Sequence, residues 1–142
     1  MARRLPSMRG ATPAGARVGP TRLNIDAHRG KAERIERSLA RLTCSDHEMV
    51  IEASMLAGTH WLNLLLHRVG LSTPERDAMH AEFMTVADRR KASVLVGAAL
   101  DALDAIEALR TSHVRGDLPD GEAAARRALD CLAVLRAHAL SS

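Results

Sequence analysis

The sequence predicts an all-α protein, an up-and-down antiparallel bundle of four long helices plus one short helix. Three observations carry that expectation. Apolar residues make up 46% of the 142 positions and are mostly Leu, Ala, Val and Met, while Trp61 and Phe83 are the only aromatics and Tyr is absent. Strands favour β-branched and aromatic side chains, whereas Ala, Leu, Arg and Glu favour helix. Apolar positions also recur at spacings of three and four, and Gly or Pro falls between the periodic segments.

The chain divides at about residue 22. Arg3, Arg4, Arg9, Arg17 and Arg22 lie before that point with no acid among them. Three prolines and three glycines in the first 20 residues oppose both helix and strand. Residues 1–22 therefore read as a disordered basic tail and 23–142 as a single helical-bundle domain. The formal net charge of +3 comes from the tail, because the remaining 15 basic residues face 17 acidic ones. A basic patch for nucleic acid on the folded part is thus not indicated.

The first helix is expected from about Asp26 to Thr43, with Ala32, Ile35, Leu39 and Leu42 on one face. Ser45-Asp46-His47-Glu48 has the form of a capping box and opens the second helix, which runs to Val69 and stops at Gly70. That helix is apolar over more than half its circumference. Ile51, Met55, Leu62, Leu66 and Val69 share one face, and Val50, Trp61 and Leu64 lie about 100° further round. Glu52, Thr59, His60, Asn63 and His67 form its polar strip. Two apolar faces on one helix need two covers, so the sequence predicts a homodimer paired through the second helix.

Thr73-Pro74-Glu75 opens a short third helix, with Pro74 at the first helical position. Thr85-Val86-Ala87-Asp88 repeats the capping form and opens a fourth. The fourth helix turns Leu95, Ala99, Ala102, Leu103, Ile106 and Leu109 inward and Asp101, Asp104 and Glu107 outward. After Pro119-Asp120-Gly121 the fifth runs to about Ala139, burying Ala124, Ala128, Cys131, Leu132 and Leu135.

No stretch offers the roughly 20 uninterrupted apolar residues of a membrane span, and no secretory leader pattern is present. Cys44 and Cys131 lack metal-type spacing. A cytoplasmic location without membrane contact is the expectation.

The seven histidines raise a metal hypothesis, which the spacing opposes. His60 and His67 share a helix face but stand two turns, or about 10.5 Å, apart along the axis, too far for one ion. Neither Glu-x-x-His nor His-x-x-x-His occurs, and Asp77 with His80 is an isolated i,i+3 pair. From sequence, no metal site and no cofactor are predicted.

The order of helices, the long second helix from Glu52-Ala53-Ser54 through Leu66-His67-Arg68-Val69-Gly70, the segment Met79-His80-Ala81-Glu82-Phe83 and the close Arg110-Thr111-Ser112-His113-Val114-Arg115-Gly116 resemble the HEPN superfamily of helical bundles. The resemblance covers about residues 26–139 and implies a dimeric interaction or regulatory module. Its implied partner is a nucleotidyltransferase-type protein or a nucleic acid. Active family members cut RNA with an Arg and a His four to six residues apart. Arg110 and His113 have two residues between them, and Arg76 and His80 have three. Arg22 with His28 and Arg41 with His47 have five, but one pair straddles the tail boundary and the other crosses a loop. The alternative function is a metal-independent, toxin-type ribonuclease, as in toxin–antitoxin systems. In it Arg110 and His113 of two subunits would be catalytic, His as general acid/base and Arg steadying the phosphorane charge. The enzyme reading is the weaker of the two.

Overall fold

In the computed structural model, residues 23–73, 77 and 84–141 are described. Four α-helices follow in order: α1 (Ile25–Leu39), α2 (His47–Arg68), α3 (Val86–Arg110) and α4 (Gly121–Leu140), with a π-helical turn at Thr111–Arg115 continuing α3. No strand occurs among the described residues, and the fold is an all-α helical bundle. The expected basic tail and the expected short helix after Pro74 lie outside the described residues.

Local sequence explains the helix ends. Asn24 caps α1 by accepting the Ala27 N–H at 2.8 Å, and α1 ends at Leu39, four residues before the expected Thr43. Thr85 caps α3 by accepting the Asp88 N–H at 3.1 Å, as its sequence form indicates. The expected capping box at Ser45 does not form. The N-cap of α2 is Asp46, whose carboxylate instead accepts the Thr43 N–H at 3.0 Å. Gly70 takes a φ of +78° just past α2, the left-handed conformation expected of it.

Direction follows from contacts at the helix ends. Arg110 at the end of α3 pairs with Glu52 near the start of α2, so those helices run antiparallel. Gly121 opens α4 directly against the His47 ring at the start of α2, and Arg68 at the end of α2 donates to the Ala139 carbonyl near the end of α4. α2 and α4 are therefore parallel neighbours. α2 is the central element, touching α1, α3 and α4.

That placement answers the question raised by the two apolar faces of α2. Ile51, Met55, Leu62 and Leu66 are buried, and so are Val50, Trp61 and Leu64, while Val69, expected on the first of these faces, is 38% exposed just past the helix end. The chain's own helices supply both covers, which removes the ground on which pairing through α2 was expected. Met49 and Leu56 are the apolar residues of α2 left outside, 61% and 55% exposed. By length and composition α2 alone among the described helices is apolar enough to cross a membrane, at a mean hydropathy of 1.2, yet 67% of that stretch is buried inside the bundle. Its packing is that of a core helix.

α3 departs from the expected inward set at Leu95, which is 58% exposed. The backbone of Val96 leaves the helical region (φ −137°, ψ 31°). The kink turns Leu95 outward and brings Val96 in, while Ala99, Leu100, Leu103 and Ile106 stay buried. In α4, Ala124, Ala128, Leu132 and Leu135 are buried as expected and Cys131 is half-buried.

Candidate metal centre

The first turn of α1 carries His28 on the same face as Ala32, Ile35 and Leu39, at intervals of four, three and four. That face is the one α1 presents to α2, so His28 is 1% exposed. It inserts beside the two histidines of the polar strip of α2, with ring centroids 5.3 Å from His60 and 5.1 Å from His67. Asp77 arrives from the connection between α2 and α3. Its Oδ1 lies 2.9 Å from His28 Nε2 and 2.6 Å from His67 Nε2. Its Oδ2 accepts the backbone N–H of Leu23 at 2.9 Å.

Both Nδ1 atoms are also engaged. His28 Nδ1 faces His60 Nδ1 at 3.1 Å, and His67 Nδ1 faces the Ser72 hydroxyl at 2.7 Å. The side chains of His28, His67 and Asp77 are 2%, 3% and 5% exposed. One ligand atom from each of the three residues can be chosen so that all lie within 4.8 Å of one another. Burial lowers the pKa of His28, partly offset by the hydrogen bond and charge of Asp77. Burial, then His28 and Lys31, pushes His60 down to about 4. Both shifts favour the uncharged ring in His28 and His60, the form in which imidazole binds metal.

The geometry suits a divalent first-row ion. Two imidazoles and one carboxylate are a common donor set for zinc and its neighbours. Ligands at about 2.0–2.1 Å from a tetrahedral zinc stand roughly 3.3 Å apart, so the 2.9 and 2.6 Å Nε2–Oδ1 separations need to widen by about 0.4 and 0.7 Å, with the ligand atoms already within 4.8 Å of one another. Each would-be ligand already has a second partner on its far side: His60 behind His28, Ser72 behind His67, and the Leu23 N–H behind Asp77. Such outer partners orient metal ligands.

Sequence reasoning set this site aside. The spacing of His60 and His67 along α2 argues against an ion shared by those two, and sequence reasoning paired Asp77 with His80, which lies outside the described residues. It placed His28 at the tail boundary. The signal that could have found the site was the position of His28 on the apolar stripe of α1, where a polar side chain must meet a partner.

The sequence-nominated pair lies at the opposite end of α2. Arg110 Nε donates to Glu52 Oε1 at 2.7 Å, and its Nη1 lies 3.5 Å from Glu107 Oε1, which Arg115 also approaches at 3.5 Å. These carboxylates raise the Arg110 pKa further. His113 is 7% exposed, with Nδ1 buried and without a hydrogen-bond partner among the described residues. Arg110 is thus already neutralised by two acids, and within one chain the pair does not present a free cation and an open imidazole to a phosphate. Glu107, expected to face outward, is turned into this network, and Asp104 pairs with Arg89. Beside His113 lies an open, mainly apolar cleft of about 500 Å³ between α3 and α4, lined by Ala105, Leu109, Leu118 and Cys131 among others.

No family model, curated protein or solved structure matches the chain, so its chemistry rests on these residues themselves.

Proposed function

We propose that this protein is a metal-binding helical bundle that holds one divalent first-row ion, with zinc as the reference ion, on His28, His67 and Asp77. The observation that carries the reading is the convergence of two imidazole Nε2 atoms and a carboxylate from three separate parts of the chain into one buried point. The three groups satisfy one another by hydrogen bonds, and a cation would take the place of the two contacts to Asp77 as one shared partner. The ion ties the start of α1, the end of α2 and the α2–α3 connection together. The test is calorimetric titration of zinc into chelator-stripped protein, alongside thermal unfolding. One zinc per chain and a raised melting temperature are expected, both lost in Asp77→Asn. No stoichiometric binding would leave the cluster as a hydrogen-bonded hub centred on Asp77 and overturn the reading.

A second reading keeps the HEPN-like interaction or regulatory module. The cleft beside His113 supports it, because a mostly apolar hollow of this size fits a ligand or a partner's side chains. With both faces of α2 already covered, a second copy or protein partner would sit on this cleft instead. Light scattering across a concentration series, on the wild type and on Leu118→Asp, tests it. A single-chain mass at every concentration would remove the dimer.

A further inference from the structure

Behind the three ligands stand two side chains whose hydrogen bonds constrain which ring nitrogen carries the proton. His28 Nδ1 and His60 Nδ1 face each other at 3.1 Å. Between two neutral imidazoles, one of those atoms must be protonated and the other must offer its lone pair. The tautomers of the two rings are therefore opposed. The carboxylate of Asp77 only accepts, so without a metal the 2.9 Å contact places the proton of His28 on Nε2. His60 must then donate from Nδ1. By the same logic His67 donates from Nε2 to Asp77 at 2.6 Å and accepts from the Ser72 hydroxyl at 2.7 Å.

A metal on His28 Nε2 and His67 Nε2 needs lone pairs at both atoms. Each ring then carries its proton on Nδ1, and each outer partner must change from donor to acceptor. His60 can do so by moving its own proton to Nε2, and Ser72 by rotating its hydroxyl. Each ring loses one proton and gains one through solvent, so the histidines release none in total.

We infer that His60 and Ser72 are positioning residues for the metal, acting as reversible hydrogen-bond partners that let His28 and His67 exchange tautomers when the ion binds. This rests on the metal reading above and names the residues that tune it. An aliphatic side chain at 60 or 72 would leave a buried Nδ1–H without an acceptor in the metal-bound state. Removing such an outer partner typically lowers metal affinity by about 10- to 100-fold.

The experiment reads the ring nitrogens of the full chain by long-range ¹H–¹⁵N correlation, before and after one equivalent of zinc. His28 is expected to pass from Nε2-protonated to Nδ1-protonated and His60 to make the reverse change. Zinc titrations of His60→Leu and Ser72→Ala should show affinity lowered by about 10- to 100-fold. His60→Gln should restore most of it, because its amide can present either a donor or an acceptor. Melting of the stripped variants separates weakened binding from a damaged fold, and the tautomer measurement on the wild type depends on no variant. Zinc binding with the His60 tautomer unchanged, or His60→Leu binding within twofold of wild type, would overturn the inference while leaving the metal site standing. A wild type that binds no zinc would overturn both.

Discussion

The polar strip of α2 carries two polar clusters, a half-buried one near its start and a buried one near its end, and they are built on opposite principles. Near its start, Glu52 meets Arg110, which with Arg115 also meets Glu107: two carboxylates and two guanidiniums in one network. Near its end, His60 and His67 meet His28 and Asp77, where one carboxylate holds the rings of His28 and His67 and His28 in turn holds His60. The first cluster matches two carboxylates with two guanidiniums, although both oxygens of Glu107 are buried without a hydrogen bond. The second sets one carboxylate among imidazoles that hydrogen-bond to it and to one another, the donor set on which the proposed ion would sit. Motif spacing points to the Arg110 end, whereas the proposed metal site lies at the other.

Four measurements press on this contrast, from the largest effect to the smallest. His67→Ala should lower zinc affinity by more than about 100-fold, since a ligand and not an outer partner is lost. Arg110→Met should leave that affinity within twofold. Cobalt(II) in place of zinc gives a visible spectrum on which to follow both. Equal losses in the two variants would mean that the two ends are not independent.

Acid should reach the histidine end through His60. Its folded pKa of about 4 lies below the ordinary 6.5. Below pH 6.5 the unfolded chain takes up a proton that the folded chain refuses, so this contribution to stability is full above 6.5. It declines as pH falls towards 4 and is flat below that. The whole effect amounts to at most about 3 kcal/mol. Chemical unfolding of the metal-free protein between pH 7.5 and 4 should show the decline, and His60→Leu should flatten it.

At the other end, Arg110→Met strands Glu52 and Glu107 in a half-buried setting. A loss of about 1–2 kcal/mol in denaturant unfolding is expected, reduced when Glu52→Gln is made as well. A loss near zero would show that water already screens the pair. The smallest effect belongs to Arg136, whose guanidinium is 49% exposed and reaches Glu36 at 2.9 Å. Arg136→Ala should cost under about 1 kcal/mol.

The helices were legible because each writes its buried face into its own spacing, as Ala32, Ile35 and Leu39 do, and its ends into Thr85, Gly70 and Pro119-Asp120-Gly121. The kink at Val96 was not legible. No Pro marks it, and Leu95 and Val96 are equally apolar, so only packing decides which of them goes inside. The histidine cluster was invisible for a different reason. His28 and Asp77 are 49 residues apart, and no local spacing encodes the approach of α1 and the α2–α3 connection to one turn of α2. The same holds for the two apolar faces of α2. Its periodicity shows that both need cover but does not say that α1, α3 and α4 of the same chain supply it.

The parallel run of α2 and α4 has a consequence for the field along that pair of helices. Each helix carries roughly half a positive charge at its N-terminus and half a negative charge at its C-terminus. Side by side in the same direction, with Gly121 against His47, these two dipoles add where antiparallel neighbours would cancel. The side chains answer them. Asp46 and Glu48 stand at the start of α2 and Asp120 and Glu122 at the start of α4, while His67 and Arg68 close one helix and His138 the other. Along this pair of helices acidic side chains meet the two starts, and those carboxylates let two like poles lie together, while α3, running the other way, sets its own dipole against them.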